Sequence, residues 1–261
     1  MPELPDLEIF RGNIFSRLSS KTIKGLQVHS QKITTPQIVL AEELVGRTLI
    51  AINRHGKELL FDFADERIIS AHLMMNGRVA VVDNAPAADK VRSKVLSLDF
   101  ENESIIFHDT GNLGAVIKYK PIFANVPDAL AVDFTLDYFT KIAGRKASTN
   151  IKAFLIDQKV VRGIGNAYAD EILWHARVSP KSVTGRLPRE ALEALYHTIG
   201  IVLREAIESI RTIAPDIISG EERSFLKVHN RLLKQTTTGF PIKKEMIATK
   251  WTCYTDEQVV Y

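Results

Sequence analysis

Leu7, Phe10, Ile14, Phe15 and Leu18 recur near helical spacing, with Arg11, Asn13 and Ser16 between them. That pattern predicts an amphipathic helix over residues 6–19. The apolar rhythm then shortens. Runs at 22–28, 48–63, 68–75, 78–82, 95–100, 105–108 and 115–119 are rich in β-branched residues and divided by turn residues such as Glu101-Asn102-Glu103. Many short strands without intervening helices predict an antiparallel sandwich. After Lys120-Pro121 the pattern changes again. Residues 122–135 read as a linker, and helical periodicity follows over 136–143, 149–157, 166–176 and 188–212. Pro188 stands at the start of the last of these, where proline is tolerated. Residues 215–226 read as a loop, and 233–261 as strand pieces around Gly239-Phe240-Pro241. The expected class is α+β: an N-terminal antiparallel β-sandwich with a leading helix (1–121), a linker (122–135), a helical domain (136–232) and a C-terminal β-hairpin (233–261).

The composition, 45% hydrophobic and 25% charged over 261 residues, suits one large domain or two of ordinary size and excludes a disordered tail. A formal net charge of +3 is compatible with a polyanionic partner without pointing to one. Cys253 is the only cysteine, which rules out an intramolecular disulfide and a four-thiolate zinc site and favours a reducing compartment. No charged start followed by an apolar segment is present, and no apolar run approaches the roughly 20 residues that span a bilayer. The expectation is a soluble intracellular protein, neither secreted nor membrane-bound, in the cytoplasm (the bacterial nucleoid) or the nucleus.

The start, Met1-Pro2-Glu3-Leu4-Pro5, carries candidate chemistry. Removal of Met1 leaves a secondary amine followed at once by a carboxylate. An α-amino group has a reference pKa of about 8, against about 10.4 for lysine, so more of it is neutral and nucleophilic near pH 7. A secondary amine that adds to a carbonyl-like carbon gives an iminium ion, a good electron sink, and Glu3 beside it can move protons. The plainer reading is that Pro2 only makes Met1 removable and begins a helix, with Glu3 favourably placed at its N-terminus.

Four segments bear on that choice. They are the start itself, Arg54-His55-Gly56-Lys57-Glu58-Leu59-Leu60, His72-Leu73-Met74-Met75-Asn76-Gly77, and Gly163-Ile164-Gly165-Asn166-Ala167-Tyr168-Ala169-Asp170-Glu171. In order and spacing they resemble the MPELPE, RxxKxLL, HLGMSG and GxGNxYxxE segments of the formamidopyrimidine-DNA glycosylase and endonuclease VIII family. The resemblance, with the C-terminal hairpin, covers nearly the whole chain. It implies a base-excision repair glycosylase with AP lyase activity, a helix-two-turn-helix within the helical domain, and damaged double-stranded DNA, or an abasic or single-stranded form, held between the domains of a monomer. It implies Pro2, Glu3 and Lys57 as catalytic residues, with Lys57 also at the phosphates beside the lesion. Asn166 follows a glycine turn suited to close phosphate approach, although an asparagine there also serves as a plain helix cap. Lys152 and Arg162 add positive charge nearby. Met75 corresponds to a residue that fills the gap left by a flipped nucleotide; the alternative for it is the core.

The chain also departs from the family. Asp6 stands where glutamate is usual. The family's DPRRFG-like loop reads Asp109-Thr110-Gly111-Asn112-Leu113-Gly114. Leu113 keeps an apolar wedge, while Gly111 and Asn112 replace two arginines, the first of which reads the orphaned base. The family's zinc-ligating cysteines correspond to Gln235, Thr238, Thr255 and Gln258, so no metal and no other cofactor is expected and the hairpin is of the zincless type. Packing by Ile247, Trp251 and Tyr254 is the expected substitute. Lys250 stands at the finger's phosphate-binding arginine, keeping the charge without the bidentate fork. The loop at 215–226 is shorter than the one that closes over an oxidised purine. A catalytically silent damaged-DNA-binding protein on the same scaffold is one alternative, and a module that binds RNA or ribosomes through the same helix-two-turn-helix motif is a weaker one.

Overall fold

The computed structural model describes residues 1–83, 89–109, 111 and 114–261, which form two compact units. The first comprises Met1–Phe123 with Ala214–Glu221, the second Ala124–Ile213 with Glu222–Tyr261.

In the first unit, helix α1 (Leu4–Leu18) begins with a proline in its first turn, where the missing N–H costs nothing. It buries Leu7, Phe10, Ile14 and Leu18. Eight strands follow: β1 (Gly25–Val28), β2 (Leu49–His55), β3 (Glu58–Phe63), β4 (Arg67–His72), β5 (Gly77–Asp83), β6 (Lys94–Asp99), β7 (Glu103–Asp109) and β8 (Val116–Tyr119). They build two antiparallel four-stranded sheets, β1-β6-β7-β5 and β2-β3-β4-β8. Alternation along β3 places Leu59, Phe61 and Phe63 inward, and Phe61 meets Phe107 of the other sheet edge-on at 5.4 Å. Both sheets and α1 share one core. The sandwich with its leading helix is as expected. The single run 48–63 is two strands, turned at Gly56-Lys57 with Gly56 at φ +60°. Helix α2 (Gln37–Leu44) has no counterpart in the sequence reading. It buries only Leu40 and Leu44 and leaves Ile38 68% exposed, so its apolar residues trace no single stripe.

Segment 214–221 is stitched to this unit. The Asn13 amide donates to the carbonyls of Pro215 (2.6 Å) and Ile217 (2.9 Å), and Val79 N–H donates to Ser219 Oγ at 3.2 Å.

The second unit contains α3 (Leu136–Arg145), α4 (Ile151–Ile156), α5 (Asn166–His175), the long α6 (Arg189–Ile213), and a hairpin of β9 (Lys243–Ile247) and β10 (Lys250–Tyr254). Side-chain oxygens of Thr135 and Asn150 cap α3 and α4. Phe134, Phe139, Phe154 and Tyr196 make the aromatic centre of the helices. Part of the expected linker belongs to this unit: Asp128 bridges to Arg162, and Ala129 and Phe134 are buried. No helix among the described residues is long and apolar enough to cross a membrane.

Candidate functional site

The first unit gathers the N-terminal residues and the Lys57 turn. Pro2 is buried behind Met1, whose ammonium pairs with Glu221. Glu3 is the N-cap of α1 and is 4% exposed. Its N–H donates to Asp6 Oδ2 at 2.9 Å, half of a reciprocal capping box. Asp6, with its short reach, therefore fixes the backbone that carries Pro2 and Glu3. Two residues further on, Glu8 accepts from Arg54 Nε (3.0 Å) and Arg11 Nε (2.8 Å). Burial raises the Glu8 carboxyl, but both guanidiniums outweigh that and hold it below its ordinary value. Arg54 Nη1 also donates to Gly56 O at 3.2 Å. One buried arginine thus ties α1 to the turn that presents Lys57. Lys57 lies in that turn rather than within a strand, and it is 7% exposed rather than solvated.

Met75 projects from a tight loop between β4 and β5. Met74 N–H donates to His72 Nδ1 at 3.0 Å, Met74 takes φ +51°, and Gly77 N–H closes onto Leu73 O at 2.8 Å. A Cβ at Gly77 would meet that carbonyl oxygen at 2.2 Å, so glycine is required there. Leu73 points inward, whereas Met75 is 57% exposed, which removes the core alternative for it. Gly111 is exposed, and a Cβ on it would lie 2.7 Å from the Asn76 amide nitrogen. A side chain at 111 would need the end of the Asn76 side chain to shift. Asn112 and Leu113 lie outside the described residues.

In the second unit the glycine turn precedes α5. Gly163 takes φ +106° and donates its N–H to Gln158 Oε1 at 3.0 Å, while the Gln158 amide donates to Ile156 O and Ile164 O. The N-cap is Gly165, not Asn166, which is the first helical residue. Asn166 Nδ2 donates to Trp251 O at 3.0 Å, joining the turn to the hairpin. Lys250 is exposed and opens β10 directly after the Ala248-Thr249 turn.

Sequence reasoning assigned several residues wrongly here or missed them. Lys152 is not a nearby surface charge. It is fully buried, with Nζ 2.7 Å from Asp170 Oδ1. Trp251 is 56% exposed and packs no core, whereas Ile247 and Tyr254 are buried as expected. Glu171 accepts the N–H groups of Lys227 (3.0 Å), Val228 (2.8 Å) and His229 (2.6 Å), and so anchors the chain that leads into the hairpin. Its place in the GxGNxYxxE segment was the available signal. Arg223 stacks over the Tyr168 ring at 5.0 Å.

The four positions that correspond to the family's zinc ligands carry amides and hydroxyls, as the zincless reading has it. Gln258 Oε1 accepts from Thr255 N and its amide donates to Val178 O, both at 2.9 Å, while Thr238 Oγ1 bonds Glu257. Amides and hydroxyls are poor zinc ligands, so these residues do not fit the metal. Asp170, His229 and Cys253 offer atoms within 4.8 Å of one another, but Lys152 and His229 already bring positive charge to both oxygens of Asp170.

Comparison with known proteins places this arrangement. Residues 1–116 match the formamidopyrimidine-DNA glycosylase N-terminal domain, and residues 126–215 match the formamidopyrimidine-DNA glycosylase H2TH domain. The formamidopyrimidine-DNA glycosylase of Carboxydothermus hydrogenoformans is 32% identical over 88% of this chain and 89% of its own. That of Herpetosiphon aurantiacus is 31% identical over 97% of both. Among solved structures, a complex between Lactococcus lactis Fpg and an abasic site containing DNA superposes with a TM-score of 0.83 at 25% identity, covering 97% of this chain and 98% of that one. A complex of wild-type Lactococcus lactis Fpg with an oxidized pyrimidine containing DNA gives 0.85 at 25% identity over the same shares. The class is thus a β-sandwich joined to an H2TH domain. The chain belongs to the formamidopyrimidine-DNA glycosylase family.

Proposed function

We propose that this protein is a base-excision repair glycosylase that removes damaged bases from DNA and nicks the resulting abasic site. The family membership supports the glycosylase, and the buried Pro2–Glu3 start, locked by Asp6, is the observation that carries the lyase. In this reading Met1 is removed, and the Pro2 nitrogen bonds to C1′ of the damaged nucleotide as the C1′–base bond breaks and the base leaves with a proton. Ring opening gives an iminium that draws electrons from C2′. Loss of the C2′ proton expels the 3′ phosphate by β-elimination, and δ-elimination then expels the 5′ phosphate. Glu3 relays the protons, and Lys57 positions the sugar and flanking phosphate. Asn166 and Lys250 hold phosphates without reading sequence. Met75, with Asn112 and Leu113, fills the stack behind the flipped nucleotide. The hairpin works without a metal, since its four ligand positions carry no thiolate.

The lesion preference follows from what is missing. Gly111 has no side chain with which to read the opposite base. We therefore place abasic sites, ring-opened purines and oxidised pyrimidines ahead of 8-oxoguanine. Single-turnover cleavage of each lesion opposite each of the four bases tests this. Fast 8-oxoguanine removal with strong preference for opposite cytosine contradicts it.

A further inference from the structure

β10 is held from beneath by a charged cluster that no part of the proposed chemistry uses. Lys152 Nζ, from α4, lies 2.7 Å from Asp170 Oδ1 and donates to Thr252 Oγ1 at 2.6 Å, with Trp251 O at 3.4 Å. Asp170 Oδ2, from α5, accepts from Cys253 N–H at 2.9 Å and faces His229 Nδ1 at 2.7 Å. Thr252 Oγ1 passes a hydrogen bond to the carbonyl of Lys250 itself, at 2.9 Å. Asn166 meets the same strand through Trp251 O. Every backbone group of β10 from 250 to 253 named here is thus fixed by this cluster or by the glycine-turn asparagine. Lys152 and Asp170 are fully buried, so these bonds are made where water does not compete.

We propose that the Lys152–Asp170–His229 cluster is the positioning device of the metal-free hairpin, fixing Lys250 and Asn166 in one frame for the phosphate backbone. A metal finger ties its strands through thiolates. Here a carboxylate shared by two basic side chains seats β10 on α4 and α5, through residues other than those at the four zinc-ligand positions. His229 supports this. Burial disfavours its charged form, but the Asp170 carboxylate outweighs that and, with Cys253, raises the ring to about 9. The groups facing it are Asp170 of α5 and Cys253 of β10, with Lys152 on the far oxygen of Asp170. Because the folded value is raised, the contribution of His229 is complete below its ordinary value near 6.5 and is lost as pH rises through about 9.

The phosphate role of Lys250 rests on the DNA-repair reading; the seating of the hairpin does not. The test uses the full-length protein and two variants. One is the paired Lys152→Met/Asp170→Leu, which removes both buried charges together. The other is His229→Gln, at a partly exposed position that the fold tolerates more readily. Amide hydrogen exchange is read for residues 243–254 and, as an internal reference, for α6. Affinity is read with a duplex that carries a tetrahydrofuran abasic analogue. Both variants are expected to lose hairpin protection with α6 unchanged, and to bind the duplex several-fold more weakly. Wild-type hairpin protection should fall between pH 7 and 10 in a step that His229→Gln lacks. If the paired variant unfolds, His229→Gln alone decides. Hairpin protection that stays at the wild-type level overturns the proposal, and so does stoichiometric metal lost with His229→Gln. A third variant, Lys250→Ala, is read for affinity only: an unchanged value there counts against the DNA-binding reading alone, because the exchange result stands without it.

Discussion

Asp6 is fully buried and accepts the Glu3 N–H, so the geometry of the N-terminal start depends on one short carboxylate. Asp6→Ala should cost about 1 kcal/mol, the usual worth of a cap, and slow strand nicking more than it weakens DNA binding. Thermal melts and single-turnover rates check both halves. Glu8 makes a separate prediction about pH. Its carboxyl is held below its ordinary 4.5 by Arg11 and Arg54 despite burial. A lowered folded value means that its stabilisation is present above about 4.5 and is lost as pH falls through the folded value. Glu8→Gln should therefore flatten the acid limb of the stability curve, measured by urea unfolding between pH 3 and pH 6. Met75 separates wedge from core. Being 57% exposed, it should tolerate Met75→Ala with stability within about 0.5 kcal/mol, while excision slows. A large loss of stability would return it to the core.

Among the elements, the β9–β10 hairpin departs furthest from what the sequence suggested. Its tip, Ala248-Thr249, takes φ +48° and +64°, the left-handed pair that asparagine and glycine adopt more easily. Ala248→Asn with Thr249→Gly should raise hairpin protection in hydrogen exchange without touching Lys250. Lys250→Ala should weaken binding about equally across DNA sequences and flatten the salt dependence by about one phosphate's worth. The strands themselves were legible because alternation and turn residues are local signals; the sandwich and α1 came from the same source. The support beneath the hairpin was not legible. A lysine on a short helix reads as a solvated charge, and only the fold brings Lys152 to Asp170 and β10. Helix α2 was missed for a related reason, since its exposed Ile38 breaks the stripe that marks a helix. From the sequence, Pro2, Glu3, Lys57, Met75, Asn166 and Lys250 could be put forward as candidates because the resemblance rests on the segments that hold them. Glu171 and Arg54 act by holding backbone in place, a role that residue type alone does not announce.

At the scale of the whole molecule, a family scaffold carries changed residues at the positions the family uses for recognition. The Met1-Pro2-Glu3-Leu4-Pro5 start matches the family's, while the positions of the family's two loop arginines, zinc-ligating cysteines and finger-tip arginine carry other residues. The central claim is that Pro2, once Met1 is removed, is the nucleophile. The direct measurement is borohydride trapping on a duplex with an abasic site, using protein whose N-terminus has been read by mass spectrometry, followed by peptide mapping of the adduct. The expected result is a covalent protein–DNA species on the N-terminal proline, formed only by chains that have lost Met1. An adduct mapped to Lys57 or another lysine, or one formed equally by chains that retain Met1, would contradict it.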